Sequence, residues 1–316
     1  MDRREFITGT TLGAASGAIT TAGESHAAQA EADSPPERRV LFHCHTFPYA
    51  NDQFQRDPST GLHPGHPEHL AAFIEGLGFG RATAISPFEV PEGRCTSRIE
   101  PGQDGPGWLS SSSQKVNDKI IRFAALDPAK PGETERLEKL AAGGFAGVKF
   151  HPVICRFEID PVRDSEFYTV LENLGLPLLI HTGVFGAGGS WPLEHYHPLK
   201  IDRLAWKYPG IPLILAHGGG AAFCREVLGL LQMHPASFLD LTHTLDSRYA
   251  WHIPQAELEL IFSRIGTRKV IYGVDFPWYD EEDYRRDMAS LAELGLDSED
   301  FNRLLGENFL GLIEKV

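Results

Sequence analysis

The chain has 316 residues, of which 42% are hydrophobic and 23% charged, and its formal net charge at pH 7 is -14. This composition is typical of a soluble globular protein and unlike that of a disordered chain. The negative charge argues against a nucleic-acid surface, because such a surface concentrates Lys and Arg against phosphate. After residue 30, no apolar run reaches the length of about 18 residues that a transmembrane helix needs.

The first 30 residues have the organisation of an export signal. A charged start with Arg3 and Arg4 precedes a weakly apolar Gly/Ala/Thr run and a small-x-small cleavage pattern at Ala28-Gln29-Ala30. The paired arginines before Glu5-Phe6-Ile7 resemble a twin-arginine signal. We therefore expect residues 1–30 to be a signal peptide, the twin-arginine export machinery to be a partner, and the location to be periplasmic if the source is Gram-negative. A disordered tail is the alternative.

Four cysteines, at positions 44, 95, 155 and 224, are far apart and form no CxxC pair. A twin-arginine substrate is exported already folded, so these thiols would finish folding in the reducing cytoplasm. We expect no obligatory disulfide.

From residue 39 onward, eight apolar runs alternate with segments of helical spacing. The runs are short, continuous and rich in Ile, Val, Leu and Phe, which is typical of parallel strands buried on both faces. In "HPEHLAAFIEGLG", Leu70, Phe73, Ile74 and Leu77 lie three and four residues apart, as in an amphipathic helix. The runs cover residues 39–43, 82–85, 120–126, 146–151, 177–181, 211–217, 237–241 and 269–275.

Eight strand-helix units predict an α/β fold, a single-domain (β/α)8 TIM barrel over residues 31–316. An open doubly wound sheet usually has fewer strands and often a glycine-rich phosphate turn, whereas "GAGGS" at 186–190 and "GGG" at 218–220 match neither GxGxxG nor a P-loop. One long connection, residues 87–118, is rich in Pro, Gly and Ser and is predicted to be a loop. It follows the second strand, so we expect a partial lid over the barrel mouth, with a disordered segment as the alternative.

Ligand-type polar residues close six of the eight runs, which end in "FHCH", "VKFHP", "LIHTG", "LAHGG", "LTHT" and "YGVDFPW". Active sites of parallel barrels are built at the carboxyl ends of different strands, and a buried polar group without a partner is costly. The six ends together therefore predict one site. In an extended strand, His43 and His45 share a face, as chelation requires, while Cys44 points to the helix layer.

These motifs, with the closing "LLGENFLGLI", resemble the amidohydrolase superfamily, and more narrowly its amidohydrolase-related (amidohydrolase 2) group of metal-dependent hydrolases and decarboxylases. The resemblance covers the whole mature chain. It implies that His43, His45, His181 and Asp275 hold a divalent metal, most simply one Zn2+ with Mn2+ or Fe2+ as alternatives. It also implies that Asp275 and His217 act in catalysis.

The residue types suit that chemistry. Imidazoles and one carboxylate leave zinc an open position for water and lower the pKa of that water. The leading expectation is attack of metal-bound hydroxide on an amide, ester, lactone or cyclic imide. Asp275 would accept the proton, and His217 would polarise the carbonyl or stabilise the developing charge.

Two other functions stay open at this point. The same site could decarboxylate an aromatic or unsaturated carboxylic acid without oxidation, with Lys149 or an arginine holding the carboxylate. From another class, the chain could be an exported metal-binding or ligand-binding protein without turnover, which would not need both Asp275 and His217. Each function requires a small-molecule ligand, and each is compatible with a homo-oligomer.

Other positions carry weaker expectations. Lys149 and His151 share a face of the fourth strand. Some relatives carboxylate such a lysine to bridge two metal ions; we favour a free Lys149 that binds a substrate carboxylate or pairs with Asp275, with His151 lining the pocket. His243 is expected next to the ligands or in solvent. The loop after the fifth strand adds candidates for substrate contact at Trp191, His195, Tyr196 and His197.

Overall fold

The computed structural model describes residues 34–49, 54–56, 58, 60–184 and 192–314. The expected signal peptide and Trp191 lie outside the described residues, and the domain boundary at residue 31 stays a prediction. None of the helices in these ranges is long and apolar enough to cross a membrane.

Eight parallel strands form one sheet, in which each strand pairs with the next barrel strand along the chain. A bridge between Phe42 and Gly273 joins the last strand to the first, and the amide of Asp275 donates to the carbonyl of His43 at 3.1 Å. The predicted (β/α)8 barrel is therefore confirmed. Its strands are β1 Val40–His45, β2 Arg81–Ile85, β5 Ile120–Ala125, β6 Gly147–Phe150, β7 Leu178–His181, β8 Leu213–Ala216, β9 Ser237–Asp240 and β10 Val270–Ile271.

Helices connect the strands and cover the outside of the barrel. The helix over Glu281–Ala292 begins with a capping box, in which the carboxylate of Asp280 accepts from the amide of Asp283 and the carboxylate of Asp283 accepts from the amide of Asp280. The helices are α1 Pro67–Gly76, α2 Gly105–Ser112, α3 Glu133–Ala142, α4 Pro152–Cys155, α5 Ser165–Asn173, α6 Asp202–Lys207, α7 Gly220–Met233, α8 Gln255–Ile265, α9 Glu281–Ala292, α10 Ser298–Asn302 and α11 Asn308–Ile313. Shorter 3-10 segments cover Pro36–Arg38, Gln114–Val116, Leu193–Tyr196, Pro198–Ile201 and His217–Gly219, and a π-helical segment covers Arg303–Glu307.

The core has two layers. Leu41 and Cys44 pack between the barrel and its helices, whereas Val40 and Phe42 pack inside the barrel. The expectation that Cys44 faces the helix layer is confirmed. All four cysteines are free thiols in this structure.

Helix α11 closes the amino end of the barrel. Phe309 packs on Phe42 and Phe123, with ring centroids 4.8 Å and 6.0 Å apart. The side-chain amide of Asn308 donates to the carbonyls of Thr267 and Val270, where β10 begins. This end of the barrel is therefore filled by side chains.

The connection over residues 87–118, predicted to be a loop, is more regular than its composition predicts, and its role as a partial lid stays a prediction. It contains helix α2 and a parallel pair of two-residue strands, β3 Phe88–Glu89 and β4 Arg98–Ile99. Arg136 of α3 anchors it by pairing with Glu89 at 2.6 Å and with Asp104 at 2.8 Å. These ion pairs hold the segment beside the carboxyl end of the barrel.

Candidate active site

Backbone strain is concentrated at the carboxyl ends of the strands. Four residues there have positive φ angles: His43 at 54°, His217 at 60°, His243 at 61° and Asp275 at 58°. In the described ranges the only other non-glycine residue with a positive φ is Arg156. Such conformations cost free energy, and they persist where the surrounding structure requires a particular side-chain direction. They mark this end of the barrel as the functional end.

The end of β1 brings His43 and His45 to the same side, as predicted, but not through a regular strand. The pairing with β2 shifts between Leu41 and Cys44, at the left-handed His43. As a result, both Phe42 and His43 lie inside the barrel, and the rings of His43 and His45 are 5.3 Å apart.

His43, His45 and Asp275 form a group that could hold a metal ion, with one ligand atom from each residue within 4.8 Å of the others. Nδ1 of His43 donates to a carboxylate oxygen of Asp240 at 2.6 Å, so the lone pair of this imidazole is on Nε2. Nε2 of His45 lies 3.4 Å from Oδ1 of Asp275, and this buried oxygen accepts no hydrogen bond from the described residues. Two imidazoles, one carboxylate and an unsatisfied buried oxygen fit a divalent ion.

His181, the fourth predicted ligand, lies outside this group of three. Its ring stacks on the ring of His151, with centroids 3.9 Å apart. The centroid of the His217 ring lies 4.9 Å from that of His181 and 4.7 Å from that of His43. The predicted residues therefore form one continuous line of rings. The role of His181 as a ligand stays a prediction.

His217 is held in one orientation. Its Nδ1 donates to the carbonyl of Thr242 at 2.9 Å, so Nε2 carries the lone pair in the neutral ring. Burial, reinforced by the neighbouring His43, holds the pKa of His217 well below its usual value. At neutral pH this ring is therefore neutral, and its Nε2 is a hydrogen-bond acceptor.

Asp275 is ionised. Burial by itself would raise the pKa of Asp275, but a hydrogen bond from His243 and the imidazoles of His45 and His43 outweigh it and hold that pKa far below its usual range. Nδ1 of His243 lies 3.3 Å from Oδ2 of Asp275. His243 therefore lies next to a predicted ligand. It is also buried, with its ring packed on Tyr279, which excludes the solvent-facing alternative.

Lys149 contacts His43 and does not pair with Asp275. Its side chain is 1% exposed, and its Nζ donates to Nε2 of His43 at 2.9 Å. Burial lowers the pKa of Lys149 to about 8, against the opposing charges of Asp240 and Asp275. One of the two tasks expected of Lys149, an ion pair with Asp275, is therefore wrong. The amine instead contacts Nε2 of His43, the nitrogen that would bind a metal ion.

Asp240 is a site residue that the sequence analysis missed. Besides holding His43, it accepts from the amide of Thr242 at 3.0 Å and from the Thr242 hydroxyl. A signal was available, because Asp240 is the only acidic residue in the apolar run 237–241.

The group opens into a pocket of about 570 Å³, a volume typical of small-molecule sites. The expected lining role of His151 is confirmed, and the segment after β3 closes one side of the pocket. The lining residues are His45, Phe88, Gly93, Arg94, Cys95, Thr96, Ser97, His151, Ile154, His181, His217, His243, Tyr249, Trp251, Asp275 and Trp278.

Three of the candidates after the fifth strand are described, His195, Tyr196 and His197, and none of the three is among these lining residues. Tyr196 lies behind His181, with ring centroids 6.1 Å apart. His195 faces Glu194 at 3.5 Å, and His197 packs on Phe223. In the described part of the chain, substrate contact by these side chains is therefore not favoured.

A family model described as amidohydrolase matches residues 108–308, which is more than half of the chain. The chain therefore belongs to the amidohydrolase family and is an enzyme of the amidohydrolase superfamily. No curated protein matches it.

Solved structures share the fold at low sequence identity. One is a probable 2-pyrone-4,6-dicarboxylic acid hydrolase from Acinetobacter baumannii with citric acid bound (TM-score 0.61, 13% identity, 88% of this chain and 99% of that chain). A 2,6-dihydroxybenzoate decarboxylase from Rhizobium has a TM-score of 0.60 at 13% identity, covering 88% of this chain and 99% of that one. A 5-carboxyvanillate decarboxylase from Novosphingobium aromaticivorans, complexed with manganese and 4-hydroxy-3-methoxy-5-nitrobenzoic acid, has a TM-score of 0.61 at 14% identity, covering 89% and 97%.

Proposed function

We propose that the chain is a metal-dependent hydrolase that adds water to the carbonyl of an amide, ester, lactone or cyclic imide. The observation that carries this proposal is the geometry of one pocket, in which the carboxylate of Asp275, part of a group that could hold a metal ion, and Nε2 of His217 can both accept a proton. Hydrolysis requires a proton to leave the attacking water and to reach the leaving group.

His43, His45 and Asp275 would hold a divalent ion. Zinc is the proposed ion, with manganese or iron as alternatives, and His181 is the candidate for a further ligand. When bound, the ion supplies Lewis acidity and lowers the pKa of water. The manganese in the Novosphingobium structure supports a divalent ion without deciding which one this chain uses.

Each protein group has a task that follows from its contacts. Asp275 accepts the proton of the attacking water and passes it to the leaving group. His243, 3.3 Å from Oδ2, keeps this carboxylate ionised and oriented. His217 donates Nδ1–H to Thr242, so it offers the substrate an acceptor at Nε2. It can therefore stabilise a developing negative charge only after it has taken up a proton.

Decarboxylation is the second candidate function. Arg94 lines the pocket and could hold the carboxylate of an acid substrate, and two of the similar structures bear the names of decarboxylases. Lys149 does not favour this reaction, because its amine is buried on His43. The third alternative, a binding protein without turnover, is set aside because the chain belongs to an enzyme family.

The proposed reaction can be tested with the metal-loaded protein in water enriched in oxygen-18. Lactones, cyclic imides and hydroxylated benzoic acids would be supplied separately, and products would be analysed by mass spectrometry. Hydrolysis predicts one labelled oxygen in the acid product. Release of carbon dioxide from an acid that gains no label would overturn hydrolysis and support decarboxylation.

We propose further that the protein is exported to the periplasm by the twin-arginine machinery. The support is the pattern of residues 1–30, with Arg3 and Arg4 before a weakly apolar run. N-terminal sequencing of the protein from a periplasmic fraction should find the chain beginning near residue 31. Full-length protein confined to the cytoplasm would contradict export.

A further inference from the structure

We propose that Asp246 and Arg248 are positioning residues for the candidate active site. Their ion pairs with helix α9 fix the rings of Tyr249 and Trp251 around His243, and so fix the hydrogen bond that His243 makes with the carboxylate of the candidate metal group. This inference rests on the proposed function, since it adds positioning residues to the same site.

His243 is enclosed by three aromatic rings, which we call the ring box. The ring centroids of Tyr249 and Trp251 lie 4.6 Å and 5.4 Å from that of His243, and both rings stand nearly perpendicular to the imidazole, at 89° and 87°. The ring of Tyr279 lies 4.5 Å away. Nδ1 of His243 lies 3.3 Å from Oδ2 of Asp275. A group that hydrogen-bonds a metal ligand orients that ligand, so the placement of the ring box determines how Asp275 is held.

Two rings of the box come from an irregular segment. Residues 241–254, all of which the structure describes, contain no helix or strand. Within this segment, the rings of Tyr249 and Trp251 stack with centroids 5.1 Å apart, and Nε1 of Trp251 donates to the carbonyl of His243 at 2.9 Å. Irregular segments are more mobile than the strands and helices that they connect. An anchor outside the segment is therefore needed to hold both rings in place.

The anchor is an ion-pair network of two carboxylates and two guanidiniums. The buried Asp246 accepts from Nε of Arg248 at 2.7 Å, and Arg248 also donates to Oδ1 of Asp283 in α9 at 2.5 Å. Arg286, one turn further along α9, donates to the same oxygen of Asp283 at 2.7 Å and lies 3.6 Å from Asp246. Each guanidinium therefore bridges both carboxylates, and the network joins the irregular segment to the helix that follows the next strand.

The network also acts on the backbone that carries the ring box. The carboxylate of Asp246 accepts from the amide of Arg248 at 2.9 Å, and the amide of Tyr249 donates to the carbonyl of Asp246 at 3.2 Å. The guanidinium of Arg248 lies over the ring of Tyr249, 5.7 Å from its centroid, which is within the range of a cation–π interaction. Loss of the network would therefore release the turn that carries Tyr249, and with it the stacked ring of Trp251.

The first test is spectroscopic and needs no substrate. Zinc-loaded protein would be prepared with fluorotryptophan, and the fluorine resonance of Trp251 would be assigned by its loss in Trp251→Phe. The resonance would then be compared in the wild type, Arg248→Gln, Asp246→Asn and the matched control Arg225→Gln. Arg225 also forms a two-bonded ion pair, with Glu257 at 2.8 Å and 2.9 Å, but this pair joins α7 to α8. Thermal unfolding would establish that each variant is folded.

We expect the Trp251 resonance to shift and broaden in Arg248→Gln and in Asp246→Asn, because the indole would exchange between several environments. Turnover should fall in the same variants, with kcat/KM lower by about tenfold, since misplacing reacting groups by about 1 Å can cost about a hundredfold. Arg248→Lys should fall between these variants and the wild type, because it keeps the charge and loses the fork that bridges two carboxylates. Arg225→Gln should keep both the wild-type resonance and the wild-type kcat/KM.

Two outcomes would overturn the inference. An unchanged Trp251 resonance in Arg248→Gln and Asp246→Asn, with a lower unfolding midpoint, would show that the network only stabilises α9. A changed resonance with wild-type kcat/KM would show that the ring box does not position the site. The resonance is measured without turnover, so an error in the proposed reaction can be distinguished from an error in the role of the network.

Discussion

The two ends of the barrel differ in what their side chains do. At the amino end, Phe42, Phe123 and Phe309 fill the interior with apolar contacts. At the carboxyl end, the interior holds histidines and Asp275, several of them in left-handed backbone conformations. One strand serves both ends, since Phe42 belongs to the apolar filling and His43, the next residue, to the polar group. In β1, the side chains that stabilise the fold and those that build the candidate site are therefore neighbours in the sequence, although they belong to opposite ends of the barrel.

Strain can be tolerated at one end because the other end is well packed. A non-glycine residue in a left-handed conformation costs about 1–3 kcal/mol. The apolar end contributes in the opposite direction, since burying a large apolar side chain is worth about 1.5–3 kcal/mol. Variants of the polar end should therefore change turnover, and variants of the apolar end should change stability.

The largest effect is expected for Asp275→Asn. Removing the proton acceptor should lower kcat/KM by about 10²- to 10⁴-fold. The fold should be kept, because Asn tolerates a positive φ and still offers an oxygen to His243. Steady-state kinetics and thermal unfolding on the same preparation would measure both.

The matched control for that change is Asp297→Asn. Asp297 caps α10 by accepting from the amide of Asp300, and Asn caps a helix equally well. Activity and unfolding midpoint should therefore stay at the wild-type values. A large loss of stability in Asp275→Asn, with little loss of rate, would show that the polar end is structural and would remove the contrast.

The next largest effect is expected at the apolar end. Phe309→Ala should lower the free energy of unfolding by about 3–5 kcal/mol, because it leaves a cavity between Phe42 and Phe123. Urea unfolding would measure this loss, and kcat/KM per folded molecule should not change. Trp206→Ala is the control, since Trp206 is 79% exposed and its removal should have little effect. A tenfold fall in kcat/KM in folded Phe309→Ala would show that the two ends are coupled.

Much of the barrel could be predicted because its strands are fully buried. Each strand lies in a mainly apolar run, and the polar residues that end six of the runs mark the carboxyl side. Asp240 was missed because its role depends on facing inward toward His43, which is set by strand register and not by composition. The predicted partner of Lys149 was wrong for the same reason, since its amine contacts His43, which lies 106 positions away in the sequence.

Two local features were also beyond sequence patterns. The left-handed His43 arises where barrel closure brings the segment after β10 against β1, a contact between chain ends. The β3–β4 pair over residues 88–99 has only two residues in each strand, too few to produce a hydrophobic period.

Gly183→Ala, just after β7, is expected to have an intermediate effect on both the free energy of unfolding and kcat/KM. Gly183 has a φ of 84°, and a Cβ there would lie 2.5 Å from the backbone of Gly219, two residues after His217. The strained backbone and the clash should cost more than about 1 kcal/mol, and the displacement of Gly219 should lower kcat/KM as well.

The control for this change is Gly229→Ala, in the interior of α7. A Cβ at Gly229 meets no atom within 4 Å, so the substitution should stabilise the helix by about 0.5–1 kcal/mol without changing the rate. Chemical unfolding and steady-state kinetics would measure the free energy of unfolding and kcat/KM of both variants. If Gly183→Ala matched Gly229→Ala, the close contact between the two strand ends would have no role in holding His217.

The smallest effect is expected for Asp287→Asn, in the helix layer between the two ends. Asp287 is buried and accepts from the hydroxyl of Tyr272 at 3.0 Å. Burial, together with the nearby Asp246 and Asp283, raises the pKa of Asp287 well above its usual value. The folded protein therefore holds this proton more tightly than the unfolded chain does. The resulting stabilisation is complete below the unfolded pKa of about 3.9 and is lost as the pH rises through the folded pKa.

Asn has no such proton to lose, so the difference between the unfolding temperatures of Asp287→Asn and the wild type should shift in favour of the variant as the pH rises from about 4. Unfolding temperatures of both proteins between pH 4 and pH 8 would measure this trend, and kcat/KM at each pH should be the same for both. A difference that does not vary with pH would mean that Asp287 titrates normally despite its burial. A pH-dependent difference in kcat/KM would instead connect the helix layer to the polar end, through the contact of Tyr279 with His243.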